Sequence, residues 1–371
     1  NRRPAMTDSS PSDLLHLSAL ANLKPPASNG VTYPPEPGSP QECRQFEALQ
    51  QTLRAQFASV FSDPRAPRTV LVLPSLTMDQ TELTKIEGVH HYEERMLCML
   101  MLLRLPNTQV IYVTSEPVAP GIIDYYLHLL PGIPGSHARK RLTLLTCYDA
   151  SPLPLTQKIL DRPRLMQRIR AAVRHPRASH VTCFNATPLE RTLAVRLNMP
   201  LYACDPALNS LGTKSGSRET FKQAGVPVAP GYENLTSAAE IVDALTQLKT
   251  RNPSLTRAVV KLNEGFSGEG NAVFRYDGAP TSGLASWIRA ELPSRLAFEA
   301  ANEHWERYLA SYESMGGIVE AFIEGSVKES PSVQCRINPA GEAAVICTLD
   351  QVLGGASGQI FLGCPFPAQS A

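Results

Sequence analysis

Residues 259–274 read Val259-Val260-Lys261-Leu262-Asn263-Glu264-Gly265-Phe266-Ser267-Gly268-Glu269-Gly270-Asn271-Ala272-Val273-Phe274. Two apolar runs flank a loop holding three glycines and a serine. The pattern predicts two strands, 258–262 and 271–274, paired across that loop. Lys261 falls inside the first apolar strand. A cation there is costly to desolvate unless an anion meets it. Glycines let backbone N–H groups approach phosphate oxygens closely and permit turns closed to other residues. The same spelling also suits an ordinary glycine-rich hairpin whose lysine snorkels to solvent. It is neither a GxxxxGK[ST] loop nor a GxGxxG that opens a helix.

Two further stretches flank this one. Residues 211–228 (LGTKSGSRETFKQAGVPV) place Lys214 just before an amphipathic helix, 217–224, which stops at Gly225 and leads into a Val-Pro-Val strand. A helix N-terminus beside a lysine is a place for an anion, although a single lysine near a cap is usually solvated. Residues 318–325 (IVEAFIEG) set Glu320 inside an apolar strand. That carboxylate could accept from an adenine amino group, or stand exposed at a strand end.

Upstream, β-branched and aliphatic runs at 69–73, 109–113, 142–147, 180–184 and 200–204 alternate with helical spacing at 88–103, 119–130, within 155–173, and at 188–197. Strands alternating with helices predict a parallel α/β sheet, whose ligands lie at the carboxyl ends of the strands. Downstream, 238–248 and a long stretch at 283–312, interrupted by Pro293, read as helices. The runs 318–323, 332–337 and 342–349 suit an antiparallel sheet with turns at Gly325 and 339–341. Residues 1–40 carry eight of the 32 prolines. Apart from an apolar patch at 14–23, this arm has a linker composition.

The chain has 371 residues, and at roughly 100–200 residues per domain that predicts two or three domains. Lysine plus arginine is 35 against 34 acidic residues, a net charge of +1. That balance argues against a bulk electrostatic nucleic-acid or membrane binder. No apolar run approaches the roughly 20 residues of a membrane span. The eight cysteines contain no CxxC pair, which reads as a reducing, cytoplasmic setting without a disulfide framework. The chain opens on Asn1, and its first methionine is Met6.

The order and spacing of the three stretches around Lys214, Lys261 and Glu320 resemble the ATP-grasp superfamily of carboxylate ligases. Residues 88–95 (GVHHYEER), 124–131 (DYYLHLLP), 136–139 (SHAR) and 351–355 (QVLGG) resemble the peptide-ligase branch typified by the pheganomycin-forming enzyme. The resemblance covers residues from about 68 to 371. It implies an α/β chain: a Rossmann-like parallel-sheet pre-ATP-grasp domain at 68–206, then an α+β ATP-grasp domain at 207–371. The arm, 1–67, is expected to be largely disordered with one or two helices.

The same resemblance implies an ATP site. Lys214 and Lys261 match the family's phosphate lysines. Glu264 and Gly265 open the phosphate loop, and Phe266, Ser267 and Gly268 match its tip. Glu320, Phe322 and Ile323 match the hinge that reads adenine, and Glu329 is a ribose contact at longer spacing. Gln334, Arg336 and Gln351 match cleft-facing strand positions, with Arg336 the candidate catalytic residue. The implied reaction joins a small-molecule or peptide carboxylate to an amine through an acylphosphate, with ATP and Mg2+ as cofactors. No protein nucleophile is needed.

The family's magnesium ligands, a late Glu-x-Asn pair included, have no match after Gly341. The chain therefore reads as a fragment or truncated form lacking its C-terminal metal-binding part. The alternative is a nucleotide-binding pseudo-ligase, and a third reading is partner binding through the arm. No nucleic-acid or membrane partner is expected, and a homo-oligomer is compatible with the sequence. His90, His91, Glu93 and Glu94 offer a metal cluster or, more simply, helix-start ion pairs. Asp124, Tyr125 and Tyr126 offer cleft lining or core packing. The basic run 137–141 reads as a solvated face.

Overall fold

The computed structural model describes residues 34–79, 83, 88–265, 268–327, 329–355 and 358–369. The apolar patch at 14–23, with most of the arm, lies outside the described residues, as do Phe266 and Ser267. The chain divides into two compact units. One runs to Pro206 and includes Asn338–Glu342; the other comprises Ala207–Ile337 and Ala343–Ala371.

The first unit is built on β1 (Arg68–Leu73), in which every residue is buried. Parallel neighbours β2 (Thr108–Thr114) and β4 (Ser179–Cys183) flank it, and β3 (Leu142–Thr146) extends the sheet in the order β3-β2-β1-β4. Alternation assigns the side chains. Leu71, Leu73, Ile111 and Val181 pack on one face, and Val70, Val72, Val110 and Tyr112 on the other. Both faces are covered, which is why the run is continuously apolar. The second face meets a tightly wound 3-10 helix, Val89–Arg104, through Leu97, Leu100 and Leu103.

Helix α1 (Pro40–Gln56) continues as a wider turn over Phe57–Phe61. Its Phe46 and Leu49 enter the core on the first face, so this part of the supposed arm belongs to the domain. The helices α2 (Pro120–His128) and α3 (Gly135–Arg139) follow β2. The predicted helix within 155–173 is two, α4 (Leu155–Leu160) and α5 (Pro163–Ala172), because Pro163 starts a helix rather than continuing one. Helix α6 (Pro188–Leu197) matches its expected bounds and opens with a capping box of Thr187 and Glu190. The predicted fifth strand at 200–204 is reduced to a single parallel bridge between Val181 and Leu201.

His180 on β4 is buried against Phe61 and Tyr202. Desolvation, with Arg68 adding like charge, pushes its imidazole down to about 3. The unfolded chain therefore binds the proton first as pH falls. Stability is complete above the usual histidine range and declines between there and about 3. Replacing His180 by Phe is expected to remove part of the loss of stability between pH 7 and 4, on the order of a few kcal/mol, read as a smaller drop in melting temperature.

The second unit holds a five-stranded sheet in the order β5-β9-β6-β7-β8. Its strands are β5 (Gly231–Leu235), β6 (Arg257–Leu262), β7 (Asn271–Arg275), β8 (Ala297–Phe298) and β9 (Gly317–Ala321). Strands β6 and β7 form the expected hairpin, with Lys261 opposite Asn271. Ala258, Val260, Leu262, Phe274 and Val319 form one face, packed on α8 (Ala238–Arg251), α9 (Leu284–Arg295) and α10 (Trp305–Met315). The long helix predicted at 283–312 is thus two helices separated by β8. The Val226-Pro227-Val228 strand is absent; the strand begins at Gly231. The antiparallel meander is also corrected, since β9 lies between β5 and β6 rather than beside β10 (Pro331–Ile337). Strand β10 pairs only with β11 (Ala343–Asp350), and β12 (Val352–Gly354) with β13 (Ile360–Gly363). Among the described residues, no helix is long and apolar enough to cross a membrane.

Candidate functional site

Lys214 opens α7 (Lys214–Gln223), whose N-terminus is capped by Thr213, its Oγ1 accepting from the Gly216 amide at 3.0 Å. Gly216 must lack a side chain, because a Cβ there would stand 1.9 Å from the Ser210 carbonyl oxygen. Asn263, the first residue past β6, ties this helix end to the strand that carries Lys261. Its Oδ1 accepts from the Ser215 amide at 3.0 Å and the Ser215 hydroxyl at 2.8 Å. Its Nδ2 donates to the Met315 carbonyl at 3.0 Å, and its carbonyl accepts from the Lys214 amide at 3.2 Å. Two lysines far apart in sequence are thereby fixed to one short piece of backbone. Residue order does not by itself assign Asn263 this role; its one signal is an amide two positions after a strand lysine.

The charges at this place are unbalanced. Lys261 Nζ lies 2.5 Å from one Glu320 oxygen, and the Arg218 guanidinium lies 2.6 Å from the other. Arg218 also donates to Glu233 at 2.6 Å and to the Ala229 carbonyl at 2.6 Å, while Lys222 meets Glu233 at 2.7 Å. The Lys214 ammonium has no ion pair among the described residues. Burial, and then the Lys261 charge, hold its pKa below the ordinary lysine value, with Glu320 opposing. Among the described ion pairs, Lys261 meets Glu320, Arg218 meets Glu320 and Glu233, and Lys222 meets Glu233. The excess positive charge, partly out of water, suits a polyanion.

The loop between β6 and β7 is closed by glycine packing. A Cβ on Gly265 would approach Gly270 Cα to 2.8 Å, and Gly268, at φ +95°, would place one 2.5 Å from the Gln359 carbonyl oxygen. Asn271 Nδ2 holds Gln359 Oε1 at 3.1 Å. A side chain does not fit at these positions, and bare backbone of this kind can approach phosphate oxygens closely. Phe266 and Ser267, assigned to the loop tip, lie outside the described residues, and Glu264 is exposed.

At the expected hinge, the two Glu320 carboxylate oxygens are engaged by Lys261 and Arg218. Register explains this: Glu320 faces Val259 and shares a sheet face with Lys261, one diagonal step away. Phe322 and Ile323 lie just past β9. The Phe322 ring is covered by the Arg257 guanidinium at 3.8 Å, and its amide donates to the Arg257 carbonyl at 3.2 Å. Ile323 is 71% exposed. Glu329 is exposed. Gln351 pairs with Ser330, its amide donating at 2.9 Å and its Oε1 accepting at 3.2 Å. Arg336, like Gln334, is exposed on β10, in a different sheet from Lys261.

The other sequence candidates resolve into structural roles. His91 pairs with Glu94 at 3.3 Å, whereas Glu93 turns inward to the Ser115 amide at 2.5 Å and hydroxyl at 2.6 Å. The His90 side chain lies outside the described residues. Buried Lys158 completes that network through the Ser115 hydroxyl at 2.9 Å. Asp124 pairs with Arg139, leaving Tyr125 exposed and Tyr126 against the core. Arg141, expected on a solvated face, donates to the carbonyls of Leu103, Leu105 and Thr108. Among the described residues, no three His, Cys, Asp or Glu side chains group to hold a metal ion.

Residues 206–277 match the family model described as IQCH-like, ATP-grasp. An L-propargylglycine–L-glutamate ligase of Streptantibioticus cattleyicolor is 33% identical over 297 residues, 77% of this chain and 58% of that protein. IQ motif-containing protein H of Danio rerio is 24% identical over 375 residues, 89% of this chain and 35% of that protein. The chain thus spans 58% and 35% of the lengths of these curated relatives. Among solved structures, the ADP complex of an N5-carboxyaminoimidazole ribonucleotide synthetase aligns with TM-score 0.46 and 12% identity, covering 82% of this chain and 59% of that one. Lys214, Lys261 and the glycine loop all fall within the segment that the ATP-grasp family model matches.

Proposed function

We propose that the second unit binds ATP, with Lys214, Lys261 and the loop 264–270 holding its phosphates, and that the protein is a carboxylate–amine ligase of peptide-bond-forming type. The observation that carries this reading is the Lys214 ammonium, partly desolvated beside Lys261 with no ion pair among the described residues. The ligase class is supported by the 33% identity to a ligase whose name joins two amino acids. In the proposed reaction a carboxylate oxygen attacks the γ-phosphorus of ATP and the bond to ADP breaks. The amine nitrogen then attacks the acylphosphate carbon, and phosphate leaves. The lysines neutralise the charge that shifts toward ADP, and the loop amides orient the transferred group. Substrates would be small-molecule or peptide carboxylates and amines, and the setting cytoplasmic.

The test is ADP release on mixing ATP with panels of amino acids and dipeptides, using this chain and the gene's full reading frame. ADP formation that needs both an acid and an amine is expected. ATP binding without turnover in either form would favour the second reading, a nucleotide-binding protein without ligase activity.

A pH dependence follows from Lys214. Its lowered pKa means that it loses its proton before an ordinary lysine does, so ATP affinity is expected to fall as pH rises through that lowered value. Folding responds with the opposite sign. The unfolded chain holds the proton more tightly, so the same rise relieves a penalty and adds stability. Titration calorimetry across the alkaline range checks this, and Lys214→Met should flatten the affinity profile there.

A further inference from the structure

We infer that Arg218 is a positioning residue for the phosphate site: it holds the Glu320 carboxylate where that carboxylate sets Lys261. The inference rests on the ATP reading above. Arg218 stands on α7, four residues after Lys214, and is buried. Its Nε meets Glu233, one terminal nitrogen meets Glu320, and the other meets the Ala229 carbonyl, each at 2.6 Å. Three contacts from one planar fork leave the guanidinium a single orientation. Glu320 then divides its charge, one oxygen to Arg218 and the other to Lys261.

This division decides how Lys261 can act. With Arg218 present, Glu320 anchors Lys261 without fully neutralising it, and the ammonium keeps donors for a phosphate. Without Arg218, the whole carboxylate charge falls on Lys261 and opposes an incoming polyanion. The Glu320 side chain also loses the contact that fixes its rotamer. Arg218 therefore acts on the nucleotide through Glu320, from a position where it touches neither phosphate lysine in any described contact.

The test uses titration calorimetry with ATP on the whole chain, together with melting temperatures in the absence of nucleotide. Arg218→Met is expected to weaken ATP binding by about tenfold or more. In a Glu320→Gln background the same change should alter affinity by less than about twofold, because its route of action has been removed. Equal losses in both backgrounds would overturn the inference and leave Arg218 as a staple of α7. The pH profile gives a second readout. Removing the guanidinium takes a positive charge away from the lysines, so the alkaline loss of ATP affinity should move to higher pH; an unmoved profile counts against the inference. Should Arg218→Met fold poorly, Glu233→Gln loosens the other anchor of Arg218 and spares its contact with Glu320. That variant should melt earlier yet bind ATP within about twofold of wild type. A tenfold loss there would assign the effect to packing. If wild type itself does not bind ATP, the nucleotide reading fails first; if it binds and Arg218→Met binds equally, the relay alone fails.

Discussion

Lys261→Ala is expected to abolish stabilisation by ATP. The lysine emerges from an apolar strand, and Glu320 lies 2.5 Å from its ammonium. Phosphate oxygens would meet it in a setting where charge-assisted bonds are strong. Losing such a contact costs about 2–5 kcal/mol of binding, and about two orders of magnitude in affinity is a reasonable central value. At ATP one hundred times its Kd, the ligand stabilises the fold by about 2.7 kcal/mol; a hundredfold weaker site reduces that to about 0.4 kcal/mol. In a unit of this size the ATP-induced rise in melting temperature should shrink from roughly 5–10 °C to about 1 °C. Lys261→Arg, which preserves charge with different reach, should fall between. An ATP-induced rise in Lys261→Ala as large as in wild type would remove the nucleotide assignment.

Asn263→Ala should be the most damaging substitution for stability near the site. Ser215 is buried, and both its amide and hydroxyl donate to the Asn263 side chain. The Met315 carbonyl loses its donor in the same step. Leaving such groups unpaired costs about 1–3 kcal/mol each, partly relieved by rearrangement, so a total of about 2–4 kcal/mol is expected. The melting temperature should drop by roughly 5–15 °C. Hydrogen exchange offers a local check, because the Ser215 amide should lose protection before the amides of β6 do. Asn263→Asp keeps the acceptor and loses the donor to Met315, and should cost less. Stability within about 0.5 kcal/mol of wild type for Asn263→Ala would refute the view that this residue pins α7 to β6.

Much of the architecture was open to reading from residue order. The run 69–73 announces a strand buried on both faces, and the spelling around Lys261 announces its hairpin and loop. What escaped reading had local causes in some places. Phe46, Leu49 and Leu53 recur at helical spacing, but the proline-rich residues before them have a linker composition that masks the start of α1. Residues 200–204 have strand composition yet contribute one bridge, since a run so short needs a full partner to extend. Helix breaks at Pro163 and before β8 followed proline rules only in part: Pro163 begins α5, while Pro293 lies inside α9 without ending it. The candidate site was legible as three separate stretches. Their lysines and glycines carry a chemical preference that survives without coordinates, because desolvation and the missing Cβ are properties of single residues.

Which charge answers which was decided only by folding. Strand and helix periods repeat over two to four residues and say where a side chain points, so the half-buried position of Lys261 and the need for glycine beyond it could be inferred from order alone. Ion pairing depends instead on the register in which distant strands meet. Placing β9 between β5 and β6 sets Glu320 diagonally from Lys261, and the close of α7 against β5 and β9 brings Arg218 to its other oxygen. A carboxylate that residue order offered to an adenine became the shared counter-ion of two cations, because electrostatic energy follows distance in space and not separation along the chain.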